Sequence, residues 1–113
     1  MYKDLFKDTK YPELLDTIND LEISSIPPWE FLYDNYKVWR EDFEKAYLCD
    51  YAPFARMRND DVIATFNLKT QSEEIYLFIL PIFQSSKPFK KLDNINAWLK
   101  LVLEDSYEYL TQY

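Results

Sequence analysis

Side-chain carboxylates are the groups in this sequence with the widest capacity for chemistry, since 20 of its 113 residues are aspartate or glutamate. Two carboxylates about 5 to 10 Å apart across a cleft can hydrolyse a glycosidic bond if one of them has a raised pKa. No spacing in the sequence singles out one such pair, so the pattern does not favour catalysis. Acids that could act together include Asp60–Asp61, Glu73–Glu74, and Glu104 with Glu108.

Each of these pairs also has a structural interpretation. The first pair follows a short strand and is typical of an Asx-type turn, whereas two adjacent acids do not define a metal site. The second pair precedes a strongly apolar segment, where charges prevent association of strand edges. The third pair lies one helical turn apart and is repulsive unless water or a basic partner contacts it.

Histidine and glycine are both absent from the sequence. Without histidine, the usual general base, the Ser–His and Cys–His nucleophile pairs and the commonest metal ligand are missing. Without glycine, no Walker loop or dinucleotide-binding fingerprint exists. Turn positions with positive φ must then fall to asparagine or aspartate, and Asn59, Asn67 and Asn94 are the candidates. We therefore predict a protein without cofactor, metal or enzymatic activity.

The net charge of −7 indicates the kind of partner that the chain can bind. Such a charge repels phosphate backbones and anionic lipid surfaces and attracts basic partners. A small basic cluster, Lys87, Lys90 and Lys91 around Phe89, is interpreted as a solvated loop before a helix instead of a phosphate-binding patch. We therefore expect a protein partner with a basic surface, and neither nucleic acid nor membrane.

Targeting features and cysteine content predict a cytoplasmic protein. The longest apolar run, Ile75 to Phe83, contains Pro81 and is much shorter than the about 20 residues of a membrane-spanning helix. The start of the sequence has neither an apolar signal region nor a myristoylation glycine. The single cysteine, Cys49, cannot form an internal disulfide and is interpreted as a small hydrophobic residue of the core.

The length predicts one domain, residues 1–113, with one core. Apolar residues at spacings of three and four predict a helix over Tyr11–Leu21. Pro28 followed by Trp29–Phe31 indicates a second helix start, and helical structure continues to Leu48 as one helix or two. An aromatic seam on this segment consists of Leu32, Tyr36, Trp39, Phe43 and Ala46.

The second half of the sequence changes to the two-residue period of β-strands. Phe54–Met57 and the alternating segment Val62–Phe66 are predicted to be adjacent antiparallel strands, and Ile75–Leu80 to be a covered, central strand. Asp93 is the predicted N-cap of a closing helix. The stripe of that helix contains Ile95, Trp98, Leu99, Val102, Leu103 and Tyr109. The predicted fold class is α+β, with a small, mainly antiparallel sheet covered by helices.

Aromatic residues make up 19% of the chain, which is more than a core of this size needs, so some should be exposed. Tyrosine is favoured at interface hot spots because it contributes a large area with few rotatable bonds. Tyr47 and Tyr51 flank Asp50 and follow an acidic helix, although both rings could instead pack into the core. The predicted partner-binding residues are Glu41, Asp42, Glu44, Tyr47, Asp50, Tyr51, Asp60 and Asp61.

Over roughly residues 29–112, the chain contains Pro53, Phe54, Ala55, Asp61, Ala64, Phe66, Trp98 and Leu99 in an order that resembles the SUKH superfamily. The family has a Pro-Phe-Ala-like strand, a tight turn with an acidic residue, a second strand and a closing Trp-Leu helix. The first half of the chain departs from the family, because Tyr11-Pro12 and Asn19-Asp20 replace a Leu-Pro start and an Asn-Gly-Gly turn.

The resemblance implies a SUKH-like fold and the role of a bacterial immunity protein. Such a protein binds a toxin, often a nuclease, and blocks it in the cytoplasm. A strongly acidic inhibitor suits this role, because nuclease clefts are basic and attract it. The yeast cell-wall-synthesis regulator of the same family implies an alternative, a regulatory adaptor with several partners. A DNA mimic with ordered rows of acids and a carboxylate-based enzyme with a deep pocket also stay open.

Overall fold

The structure is a computed structural model that describes residues 11–58, 61–70, 73–80 and 87–111. These residues form three helices and six strands, so the α+β class predicted from the sequence is confirmed. In chain order the elements are α1 (Leu14–Asp20), β1 (Ser25–Ile26), β2 (Trp29–Phe31), α2 (Tyr36–Lys45), β3 (Tyr51–Met57), β4 (Val62–Asn67), β5 (Ile75–Ile79), β6 (Lys90–Leu92) and α3 (Ile95–Thr111).

The six strands form one antiparallel sheet in which the spatial order equals the chain order, β1 to β6. Because every strand pairs with the next one along the chain, no crossover is needed, and most connections are short. The register between β3 and β4 shifts between Pro53 and Ala55, which makes Phe54 the extra residue of a β-bulge. All six residues of β4 are buried, so both faces of the sheet must be covered.

Helices α1 and α3 cover one face of the sheet. Trp98 of α3 is fully buried, and its ring makes edge-to-face contacts with Trp29 at 5.5 Å, Phe31 at 5.9 Å and Phe54 at 4.9 Å between centroids. The indole N–H of Trp29 donates to Asp105 Oδ2 at 2.9 Å, which ties β2 to α3. This aromatic group forms the centre of the larger core cluster.

Helix α2 covers the opposite face. Its Phe43 is fully buried and meets Phe78 of β5 edge-to-face at 5.4 Å. Ile63 of β4 and the two residues that flank α2, Leu32 and Leu48, complete this second, smaller core cluster. The sheet therefore lies between two helical layers, as the sequence predicted for a sheet covered by helices.

The prediction of a helix start at Pro28 is wrong. Trp29–Phe31 is strand β2, which pairs with β1 on one side and β3 on the other. Its burial alternates, since Trp29 and Phe31 enter the larger core cluster while Glu30 is half-buried on the other face. The segment predicted as one helix or two contains a single helix, which begins only at Tyr36.

Three further predictions from the second half need correction or refinement. Ile75–Ile79 is a strand with neighbours on both sides, but β4 is the strand that is buried along its whole length. The segment predicted as a solvated loop includes strand β6, which is Lys90–Leu92. Helix α3 is capped by Asn94, whose Oδ1 accepts a hydrogen bond from the amide of Ala97 at 2.9 Å, and not by Asp93.

Within the part of the chain that the structure describes, no helix combines the length and apolar composition that a bilayer span requires. Even α3, the longest of these helices at 17 residues, carries several charged side chains.

Two substitutions on α2 test whether the helix is held by its buried face. We expect Phe43→Ala to lower the free energy of unfolding by about 3–5 kcal/mol, because it removes a fully buried ring that packs on Phe78. Val38→Ala, on the exposed face of the same helix, should change it by less than about 0.5 kcal/mol. Urea unfolding of both variants measures the difference, and equal effects would contradict the described orientation of α2.

Candidate functional site

The outer face of α2 and the loop that follows it form the most exposed part of the predicted site. Glu41 and Glu44 lie on this outer face, and Arg40 Nε contacts Glu44 Oε1 at 3.6 Å. Arg40 also donates to the backbone carbonyl of Tyr51 at 2.6 Å, so the helix is tied to the start of β3. Because the buried ring of Phe43 and the Arg40 hydrogen bond hold one side of α2 against the sheet, Glu41 and Glu44 point to solvent.

Helix α2 ends in a Schellman motif. The amide of Leu48 donates to the carbonyl of Phe43 at 2.8 Å, and the amide of Tyr47 donates to the carbonyl of Glu44 at 3.1 Å. Leu48 and Phe43 pack in the same core cluster, which is the apolar contact that accompanies this motif. The motif requires a left-handed residue directly after the C-cap, and here that residue is Tyr47, with φ of 60°.

Tyr47 occupies this position without any compensation from packing. A residue with a Cβ atom costs about 1–2 kcal/mol in the left-handed conformation, whereas glycine adopts it freely. The Tyr47 side chain is 93% exposed, so its ring contributes almost no burial to the folded state. The loop thus holds an aromatic side chain in water at a backbone position that disfavours it.

The same motif ends α1, and it offers an internal comparison. Glu22 has φ of 58°, its amide donates to Asn19, and the amide of Ile23 donates to Ile18. Because the sequence contains no glycine, both motifs use a residue with a side chain at the left-handed position. The two sites therefore share a backbone geometry and differ in what they present to solvent, a carboxylate at Glu22 and a phenol ring at Tyr47.

None of the positive-φ positions in the described residues is one of the predicted candidates. Among the described residues they are Glu22, Tyr47 and Asp61, of which only the aspartate fits the expected residue types. Asn67 uses its side chain instead, as Oδ1 accepts the amides of Lys69 and Thr70. Likewise Asn94 caps α3, and Asn59 lies outside the described residues.

The structure brings together four of the eight predicted partner-binding residues. Glu41 and Glu44 on α2 and Tyr47 and Asp50 in the following loop are all exposed and close along the chain. We call these four residues the α2-loop surface. Asp42 is half-buried on the side of α2 and is less accessible than its neighbours.

Tyr51 and Asp61 lie apart from the α2-loop surface. The ring of Tyr51 packs at 4.9 Å from Phe78 and 5.5 Å from Tyr76, so this tyrosine takes the core position that the sequence left open for both rings. Asp61 follows the far end of β3, about 20 Å from Asp50 at the usual rise of a strand. Asp60 lies outside the described residues.

Asp61 is engaged in a network of opposite charges. Its Oδ1 lies 3.4 Å from Arg56 Nη2, and Arg56 Nη1 lies 3.9 Å from Glu30 Oε1. The Arg56 guanidinium also lies 5.4 Å from the ring centre of Trp39, which connects the network to α2. Asp61 is therefore paired with a basic side chain of the same sheet, and its Asx-type turn stays a prediction.

The remaining acids do not assemble a metal centre in the described part of the chain. No group of three or more potential ligand residues is close enough there to hold a metal ion. Glu74 accepts a hydrogen bond from the Tyr76 hydroxyl at 2.9 Å and lies 3.3 Å from Lys91 Nζ. The Tyr76 hydrogen bond in particular lowers the pKa of Glu74, the opposite of what a catalytic acid requires.

Two tyrosines near the start of α2 have raised pKa values because they are buried. Burial raises the pKa of Tyr36 to about 12, with Arg40 acting in the opposite direction. Burial also raises the pKa of Tyr33 strongly, and the nearby charge of Asp16 adds to it. Both hydroxyls therefore stay protonated at neutral pH, and that of Tyr33 donates to the carbonyl of Leu15 at 3.2 Å.

The interpretation of Cys49 as a core residue is wrong, because its side chain is exposed. It lies in the loop beside Tyr47, and the apolar position of the Schellman motif is filled by Leu48 instead. Cys49, which directly follows Leu48, therefore points away from the core.

Comparison of the chain with protein-family models, with curated proteins and with solved structures found no match. The resemblance to the SUKH superfamily therefore stays a prediction that rests on the residues quoted above.

Replacement of Tyr47 tests the cost of its backbone conformation. We expect Tyr47→Gly to raise the free energy of unfolding by about 1 kcal/mol, because glycine removes the Cβ clash at positive φ. Tyr47→Ala keeps the Cβ atom and loses only an exposed ring, so it should change stability by less than about 0.5 kcal/mol. Chemical denaturation of the purified variants measures both.

Glu22→Gly is the matched control for this experiment, because Glu22 has the same position in the same motif. It should stabilise the protein by a similar amount. If Tyr47→Gly is destabilising, the tyrosine ring contributes to the folded state, and the backbone argument is wrong.

Proposed function

We propose that this chain is a cytoplasmic immunity protein that neutralises a cognate toxin by one-to-one occlusion through the α2-loop surface. The observation that carries the proposal is Tyr47, whose ring is almost fully exposed at a backbone position that disfavours it. Residues held in unfavourable backbone geometry concentrate at functional sites. A binding role explains the residue, because the ring would be buried only in the complex.

The surroundings of Tyr47 suit a partner with a basic surface. Glu41, Glu44 and Asp50 are exposed around it, in a chain whose net charge is −7. An aromatic anchor within a charged rim is the usual composition of an interface hot spot. The negative field accelerates encounter with a basic cleft, such as the nucleic-acid cleft of a nuclease toxin.

The backbone that carries Tyr47 is held firmly. Two hydrogen bonds of the Schellman motif close the end of α2, and the amide of Leu68 donates to the carbonyl of Asp50 at 2.7 Å. Arg40 connects the helix to β3 at Tyr51. A surface organised in this way loses little conformational entropy on binding, which favours a tight complex.

Binding accounts for the composition better than the alternatives do. Without histidine and glycine, the chain lacks the common means of catalysis and of nucleotide binding. The carboxylates of α2 are flanked by Lys37, Arg40 and Lys45, whereas a DNA mimic requires continuous rows of negative charge. The resemblance to the SUKH superfamily supports the choice of a toxin as the partner.

Affinity capture from cells of the source strain tests the proposal. We expect tagged wild-type protein to retain a toxin whose activity it blocks at a one-to-one ratio, with retention weakened by salt. Tyr47→Ala should lower the affinity for the captured toxin by about 30-fold or more, as expected for loss of a hot-spot side chain. Titration of toxin activity with each variant measures this loss.

Glu22→Ala is the control, because it removes an exposed side chain from the equivalent position on α1. It should leave inhibition unchanged. Full inhibition by Tyr47→Ala would exclude the α2-loop surface, and capture of only non-toxic proteins would exclude the immunity function.

A further inference from the structure

Helix α3 carries a second apolar stripe that is exposed among the described residues. Leu103 was predicted to belong to the core-facing stripe, but it is 60% exposed. Tyr107 and Leu110 follow at spacings of four and three and are 71% and 61% exposed. The buried stripe of the same helix, with Trp98 and Val102, lies about 100° away around its axis.

The sequence contained a signal for this stripe, because the three residues repeat at helical spacing beside the buried set. A shallow groove of about 600 Å³ runs along it. Leu99, half-buried between the two stripes, widens the apolar surface, and Lys100, Glu104 and Glu108 line its side. Three of the large exposed hydrophobic side chains of the described residues are thus concentrated on one helix face.

We propose that this stripe binds a second copy of the chain, with the two α3 helices antiparallel around a two-fold axis. The distribution of charge along the helix leads to this choice. Lys100 lies one turn before Glu104 and two turns before Glu108. If Leu103 packs against Leu103 of the second copy, Lys100 of each copy falls between Glu104 and Glu108 of the other.

Other arrangements lack this complementarity. In a parallel pair, the side of the stripe that carries Lys100, Glu104 and Glu108 would face the opposite side of the second helix, so the lysine could not meet the two glutamates. A purely basic partner would meet Lys100 at the edge of the stripe. The two-fold arrangement instead forms each favourable contact twice, as isologous interfaces do.

The available area indicates a weak dimer. Specific, stable interfaces bury about 1,200–2,000 Å² in total, and smaller ones belong to transient contacts. A 17-residue helix is about 25 Å long, and its stripe offers three large exposed side chains per copy. We therefore expect a dissociation constant on the order of 10–100 µM.

The dimer would leave the α2-loop surface accessible. Helices α2 and α3 cover opposite faces of the sheet, so pairing through α3 does not bury Tyr47. The inference is independent of the proposed function, because it rests on α3 alone.

Sedimentation velocity of the full chain, from about 10 to about 500 µM, tests the inference. The wild type should change from monomer to dimer over this range. Both about 0.15 M and about 0.5 M salt are used, because salt screens the repulsion between two chains of charge −7 and also the contacts of Lys100 with the two glutamates. A wild type that stays monomeric at every concentration and both salt levels would overturn the inference.

Matched variants locate the contact. Leu103→Glu places a charge at the two-fold axis and should weaken dimerisation about 30-fold or more. Val38→Glu, a change at a similarly exposed position on α2, should leave it unchanged. Circular dichroism confirms that both variants are folded, and equal effects of the two variants would contradict pairing through α3.

Charge reversal tests the antiparallel orientation. Lys100→Glu should weaken the dimer about fivefold, and the combination with Glu104→Lys and Glu108→Lys should restore it. Failure of that combination to restore dimerisation would contradict the pairing of Lys100 with the two glutamates. If the wild type is monomeric and Leu103→Glu bait loses a captured protein that Val38→Glu bait retains, the stripe binds a different protein.

Discussion

Strand β4 is buried along its whole length, and this constraint determines where the other elements lie. Val62, Ala64 and Phe66 face the layer of α1 and α3, while Ile63 faces α2. A strand without a solvent-exposed face is stable only if other elements cover both sides of its sheet. Because α1 and α3 already lie on one side, α2 is the helix that must close the other.

The position of α2 in turn determines the geometry of the candidate site. The helix must end and return the chain to β3 within a few residues, and a Schellman motif with Leu48 packed on Phe43 achieves this. In a chain without glycine, the left-handed position of the motif falls to a residue with a side chain. Here that residue is Tyr47, and its ring lies in water. The need to cover β4 thus leads to an exposed surface that can bind a partner.

The elements that could be predicted from the sequence are those long enough to show several repeats of the helical or strand period. α1, α3 and the β3–β4 pair each show several repeats of their pattern. Trp29–Phe31 shows too few, and its strand conformation depends on pairing with β3, which is more than twenty residues away. Strand β6 is short and basic, so no apolar alternation identifies it.

Prediction of the candidate site from the sequence has the same limit, here at the level of single residues. Tyr47 and Tyr51 are four positions apart and looked equivalent in the sequence, but one follows a helix end and the other begins a strand. The alternation of β3 turns Tyr51 toward Phe78, while the left-handed turn directs Tyr47 outward. The sequence contained one signal for this difference. The apolar Leu48 follows an amphipathic helix, as the C-terminal motif of such a helix requires, and this places Tyr47 at the left-handed position.

The most direct test of this account is photo-crosslinking from position 47 in living cells of the source strain. A benzophenone-bearing phenylalanine analogue at position 47 keeps an aromatic ring there, and the same analogue at position 22 occupies the equivalent backbone geometry on α1. The account predicts that position 47 crosslinks to one toxin, that position 22 does not, and that both proteins still protect the cell. Crosslinking of the toxin from position 22 alone, or from neither position while protection persists, would contradict the role of Tyr47.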